Sequence, residues 1–213
     1  QYLMILGHQL LAVILGYIAA AAIWFLSDYL KKTNSHLSFM FKMNAQVLLF
    51  YVTLRLHFFT AEPLISNRAF SVFLLLIVVA IQVYFSIRNN SQPFAALAVL
   101  FLLTAALISD TTIIIIPLII MTAAGAVIYQ QRYNWKQLFI VTIILTYTGF
   151  LLWMVGDPFM GHPVKLISEK YLSIICLFSL GAVYSIVLLF REKDASSDDY
   201  LIGVTITNGL FFT

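Results

Sequence analysis

The sequence predicts an all-α fold: a polytopic transmembrane helix bundle with seven full spans and the beginning of an eighth. Three observations lead there. The 213-residue chain is 62% hydrophobic and 10% charged, with a mean hydropathy of +0.98, outside the range of water-soluble domains. Its apolar residues are gathered into runs of membrane-spanning length, since a bilayer core of about 30 Å needs on the order of 20 helical residues. The runs are continuously apolar and lack the in-out alternation of a transmembrane β-barrel.

The elements follow in order. Gln1–Ser27 carries no Asp, Glu, Lys or Arg and is the first span; it has no basic segment before it and is too long for the apolar core of a signal peptide. The second, Leu37–Phe59, contains Lys42 and Arg55, leaving Met43–Leu54 as its uncharged centre. Those cations are thirteen residues apart, about 20 Å along a helix, so each can snorkel to the headgroups at its own end. Charge-free runs at Ala69–Ile87, Asn89–Ser109, Thr111–Gln131, Gln137–Gly156 and Tyr171–Phe190 supply spans three to seven. Tyr200–Thr213 is apolar but about six residues short of a crossing. The whole of 1–213 therefore reads as a single transmembrane region, expected to be an excerpt of a larger multi-span protein, with polar connections no longer than Asp157–Lys170 and Arg191–Asp199.

Lys and Arg set the expected orientation. Eight of them (Lys31, Lys32, Lys42, Arg88, Arg132, Lys136, Arg191, Lys193) fall after odd-numbered spans, and four (Arg55, Arg68, Lys165, Lys170) after even-numbered ones. The positive-inside rule puts the first set in the cytoplasm and the Gln1 end outside. The net charge of +3 then belongs to loops facing anionic headgroups, so the expected partners are membrane lipids and other membrane subunits and not nucleic acid. Tyr29, Tyr84, Tyr129, Tyr133, Trp135, Trp153, Tyr171 and Tyr200 sit near span ends, where an amphipathic ring is most stable. Gly16 with Ala20, then Ala21, Ala22 and Ala123-Ala124-Gly125-Ala126, are expected to permit close helix approach, and Pro117 to bend span five. Cys176, the single cysteine, cannot form an internal disulfide and reads as a small packing residue.

Chemistry is sparse. Arg55, His57, Glu62, Asp110 and Asp157 gather on the predicted outer side, and ionisable groups at such a surface can pair or line a path for ions or substrate. Arg55 and Glu62, seven residues apart, share a helical face if the helix continues to Pro63. Interfacial anchoring of each residue is the competing reading. No His-x-x-x-His, Cys-x-x-Cys or Asp-x-Asp spacing suggests a metal, no glycine-rich loop suggests a nucleotide, and no Gly-x-Ser-x-Gly suggests a nucleophile, so neither a cofactor nor an enzyme is expected. Mid-depth polar residues are limited to hydroxyls and amides such as Gln46, Gln82, Thr104, Thr146 and Ser179.

Two loops, read with their flanking spans, resemble a known family. Arg88-Asn89-Asn90-Ser91-Gln92-Pro93-Phe94-Ala95-Ala96-Leu97-Ala98 is similar to the polar Ser-Gln junction and Ala/Leu helix of the bacterial membrane proteins grouped as domain of unknown function 2339. Tyr133-Asn134-Trp135-Lys136-Gln137-Leu138, with Trp153 further on, is similar to that family's aromatic and basic turn. The chain departs from the pattern at Leu102-Leu103-Thr104-Ala105, where a glycine pair is expected. The resemblance implies a long multi-pass bundle in a bacterial cytoplasmic (inner) membrane, of unknown function, and brings no catalytic residue. Two functional classes follow: a transport or lipid-handling bundle, which needs a water-accessible cavity, or a non-catalytic scaffold or assembly module of the cell envelope, which needs a packed interior.

Overall fold

Among the described residues, eight α-helices follow the eight apolar runs: α1 Tyr2–Leu30, α2 Ser35–Arg55, α3 Arg68–Arg88, α4 Gln92–Ile108, α5 Thr112–Tyr133, α6 Lys136–Met154, α7 Lys170–Leu189 and α8 Asp198–Leu210. The structure is a computed structural model that describes residues 2–58, 64–65, 67–156, 161, 170–189 and 198–210, for the backbone alone at 2–9, 170, 188–189 and 198–201. No strand occurs among the described residues. Among the described residues, five segments are long and apolar enough to cross a bilayer: Leu10–Leu30 and the helices α2, α3, α5 and α6. The apolar stretches Gln92–Ile108 and Tyr171–Val187 are shorter, and α8 has 13 residues.

Short turns join the helices from α3 to α6, and each contains one residue in the left-handed region: Asn90 (φ 45°), Asp110 (φ 50°) and Asn134 (φ 55°). Asn and Asp tolerate that conformation better than other non-glycine residues, which is why a two- to three-residue reversal is possible there. Asp110 and Thr111 thus lie in the turn, and Thr112 is the first residue of α5. Asn34 and Asn67 open α2 and α3 by accepting hydrogen bonds from Leu37 N (3.1 Å) and Phe70 N (3.2 Å). Pro117 lies inside α5, which runs unbroken from Thr112 to Tyr133.

The chain forms two compact units, Gln1–Phe85 and Ser86–Thr213. In the first, α1 and α2 make a hairpin pinned at both ends by hydroxyls. Near the turn, Ser27 Oγ donates to Ser38 O at 2.7 Å; at the other end the Tyr17 hydroxyl meets Thr53 Oγ1 at 3.0 Å. Thr53 gives its own proton to Leu49 O, so Tyr17 is the donor of that pair. Beside the Tyr17–Thr53 pin Gly16 lies directly against Val52, and between the pins Ala20 and Ala45 are buried. Close approach at Gly16 and Ala20 is therefore as expected, whereas Ala21 and Ala22 face outward. Lys42 pairs with Asp28 at 2.7 Å and stands 5.6 Å from the Trp24 ring centre. A cation within the limits of a span is thus matched by a carboxylate from the neighbouring helix, in addition to any reach toward headgroups. Trp24 packs on Phe85 of α3 with ring centres 4.6 Å apart.

In the second unit α5 packs against α4, α6 and α7, α4 also meets α6, and α8 lies on α6 and α7. The core is built from Val99, Leu103, Ile115, Ile119, Ala123 and Ala126 on one side and Phe139, Ile143, Tyr147, Phe150, Trp153, Cys176, Leu180 and Tyr184 on the other. Ala123 and Ala126 point inward, while a Cβ on Gly125 would meet nothing within 4 Å. Outer faces are equally apolar: Ile14, Leu15, Ile18 and Phe25 of α1, Ile113 and Met121 of α5, and Ile174, Ile175 and Phe178 of α7 are all exposed. A helix that is apolar on every face suits a lipid solvent, and a water-soluble fold of this size would not expose so much hydrocarbon.

Candidate functional site: a hydroxyl and amide layer within the second unit

One set of polar side chains inside the second unit comes from α6, α7 and α8. On α6, Thr142 and Thr146 are one turn apart and share a face, and Tyr147 follows immediately. All three are at most 1% exposed. Thr142 Oγ1 donates to Leu138 O at 2.8 Å, and Thr146 Oγ1 donates back to Thr142 O at 2.8 Å. Such back-bonding is how a hydroxyl satisfies itself inside an apolar helix.

The layer becomes interhelical through two phenols. On α7, Cys176, Leu180, Tyr184 and Val187 recur every three or four residues and form the buried stripe. Tyr184 brings its hydroxyl to 2.6 Å from Thr146 Oγ1 and 3.4 Å from Thr142 O. Because the Thr146 proton goes to a carbonyl of its own helix, Tyr184 is the donor to both acceptors. Tyr147 donates to Asn208 Oδ1 of α8 at 2.5 Å, and Val204, one turn earlier on α8, is buried beside the same core. Phe139 stands edge-on to Tyr184 with centres 5.5 Å apart, Tyr147 lies 6.0 Å from it, and the Cys176 thiol is close to Tyr147. Each phenol therefore ties α6 to a different helix while its ring fills the core.

Chemically this layer holds helices together. Its hydroxyls have carbonyl, hydroxyl or amide partners, and it contains no carboxylate, imidazole or ammonium. Among the residues whose side chains are described, no Asp, Glu, Lys, Arg or His is buried, and no three His, Cys, Asp or Glu side chains come together as metal ligands do.

The outer cluster expected from the sequence is placed as follows. Arg55 is the exposed last residue of α2. His57 Nδ1 donates to Ile65 O at 2.5 Å, and its ring stands edge-on to Phe58, closing the chain just after α2. Asp110 is the half-exposed left-handed residue of the α4–α5 turn. Glu62 and Asp157 lie outside the described residues, and so does the continuation of the helix to Pro63 that would place Glu62 with Arg55. Arg55 and His57 belong to the first unit and Asp110 to the second.

Comparison with known protein families, curated proteins and solved structures finds no match to this chain.

Among the five mid-depth polar residues expected from the sequence, Thr146 belongs to the buried layer, while Thr104 and Ser179 turn back onto Leu100 O and Ile175 O on more exposed faces. Gln82 is buried on α3. Gln46 is 3% exposed, and neither its amide nitrogen nor its carbonyl has a hydrogen-bond partner. An unsatisfied buried amide costs about 1–3 kcal/mol. Gln46→Leu, which keeps the volume and removes both polar atoms, is therefore expected to raise stability by about that much, measured as the midpoint of unfolding in mixed micelles; a clear loss would show that the amide has a partner. Sequence reasoning passed over Tyr147, Tyr184 and Asn208. The available signal was two tyrosines in the middle of apolar runs, away from the span ends where such residues usually sit.

Proposed function

We propose that this protein is a multi-pass integral membrane protein acting as a non-catalytic scaffold or assembly module, with seven spans, an eighth helix seated on the bundle, and its Gln1 end outside. The reading rests chiefly on the Thr142–Thr146–Tyr184 and Tyr147–Asn208 bonds, whose polar groups are directed at one another within a core of aromatic rings. A transport path would instead aim unpaired polar or ionisable groups at a water-filled space near the midplane. Bacterial inner-membrane placement follows from the resemblance to the family of domain of unknown function 2339, and the orientation from the loop cations. Membrane lipids, and other membrane subunits at the exposed apolar face of α1, are the partners that this role requires.

One observation favours the second reading, a transport or lipid-handling bundle: the unpartnered amide of Gln46 in the middle of α2. A single labelling experiment separates the two. With Cys176→Ala as background, Gln46→Cys in sealed vesicles is expected to resist a membrane-impermeant thiol reagent from either side, because the scaffold has no aqueous path there. Rapid labelling would replace the scaffold by the transport reading. In the same background Asn90→Cys is expected to label from the cytoplasmic side, and labelling from outside would reverse the orientation.

A further inference from the structure

At the turn between α5 and α6 the chain concentrates features that the helix-packing layer does not use. Asn134, left-handed at φ 55° and ψ 38°, ends α5, and its N–H returns to Gln130 O. Trp135 then serves as the N-terminal cap of α6 but offers no side-chain acceptor to the first turn. Of the first N–H groups of α6, that of Lys136 donates to Asn134 O and that of Phe139 to Trp135 O, so those of Gln137 and Leu138 stand at the positive end of the helix dipole, with Lys136 as the first residue of the helix and the exposed Arg132 one turn back along the chain. Three rings brace the turn: Trp135, only 5% exposed, stacks on Tyr133 (4.9 Å, 27°) and on Tyr129 (5.3 Å, 21°). Ser86, at the end of α3, lies beside the Tyr129 hydroxyl, so Arg88 adds a third cation to this end of the unit.

A second observation points to a ligand. Gln130 is 9% exposed; its Nε2 donates to Asn134 Oδ1 at 3.3 Å, but its Oε1, a buried acceptor, has no partner. The turn thus joins an anion-attracting rim to an acceptor that needs a hydroxyl or amine donor. A phosphate alone satisfies the rim only. A glycerol phosphodiester satisfies both, with its phosphate at Arg132, Lys136 and the α6 N–H groups and a headgroup hydroxyl directed to Gln130 Oε1. Stacked tyrosine and tryptophan rings at a helix end also belong at headgroup depth.

We propose that the α5–α6 turn is a binding site for the headgroup of an anionic glycerophospholipid, of the phosphatidylglycerol type. The inference rests on the bundle lying in a bilayer, and resistance of the protein to alkaline extraction from membranes checks that premise separately.

The test is native mass spectrometry of the full chain released from detergent with short-chain lipids. Wild type is expected to retain dioctanoyl phosphatidylglycerol over dioctanoyl phosphatidylcholine, and the preference to fall about tenfold in Arg132→Gln/Lys136→Gln. Lys31→Gln/Lys32→Gln, which removes the same charge at the α1–α2 turn, is expected to leave it unchanged, as is the conservative Arg132→Lys. Gln130→Leu is expected to keep binding to phosphatidic acid while losing the advantage of phosphatidylglycerol over it. Absence of a preference in wild type would overturn the proposal whatever the variants do. Equal loss in the Lys31/Lys32 control would reduce it to general surface charge, and displacement of the lipid by equimolar inorganic phosphate would identify a soluble-anion site instead.

Discussion

Replacing Gly16 by alanine is expected to destabilise the first unit by about 1–3 kcal/mol, the usual cost of forcing a methyl group into a filled contact. A Cβ at that position would stand 2.6 Å from Val52 Cγ2 and 3.2 Å from Val52 Cγ1. Valine cannot swing clear, because in a helix its two γ carbons leave one strongly preferred χ1. Gly16 and Val52 are the immediate chain neighbours of Tyr17 and Thr53, so separating the helices here would also strain that pin. Gly16→Leu should therefore open the hairpin outright. The check is a double-mutant cycle read by unfolding in mixed micelles: Val52→Ala removes both clashing carbons and is expected to restore most of the stability lost in Gly16→Ala. Additive losses in the double variant would mean that the helices do not meet at this point.

The second large effect concerns Tyr184. Tyr184→Ala should cost about 3–5 kcal/mol, because the ring is completely buried against Phe139 and Tyr147 and its removal leaves a cavity that surrounding helices fill only in part. Tyr184→Phe should cost much less, about 0.6 kcal/mol and at most about 1.7, the range of hydrogen bonds between membrane helices. The difference has a specific origin. Thr146 keeps its bond to Thr142 O when the phenol is gone, so no donor is orphaned in the core. The two variants divide the contribution of Tyr184 into ring and hydroxyl, and thermal unfolding of both would measure it. A loss from Tyr184→Phe as large as that from Tyr184→Ala would mean that the hydroxyl layer, and not aromatic filling, dominates this core.

Helix positions were legible in the sequence because charged and turn-forming residues punctuate the apolar runs. Asn34, Asn67, Asn90, Asp110 and Asn134 each mark a boundary that backbone chemistry explains. Which face of a helix turns inward was far less legible. In water the apolar side is the buried side, but in lipid both sides are apolar, so composition says little about direction. Ala21 and Ala22 face outward although they resemble packing residues, while Ala123 and Ala126 of a similar cluster are buried. Lys42 was expected to reach headgroups, and its pairing with Asp28 depends on a contact between two helices that no local pattern reveals. The same holds for the candidate site. Thr146 was visible as a mid-depth hydroxyl, but its partners lie 38 residues away on α7 and, for the adjacent Tyr147, 61 residues away on α8.

Cys176 offers the most direct measurement of the central claim, that the hydroxyl and amide layer is a packed joint between helices and not the wall of an aqueous path. It is the single cysteine of the chain, is completely buried, and lies close to Tyr147 of the layer. Native membranes carrying the unmodified protein can be treated with a small, charged, water-soluble thiol reagent before and after unfolding in dodecyl sulfate. The packed joint predicts no modification in the folded protein and complete modification after unfolding. Modification in native membranes at the rate seen after unfolding would contradict it.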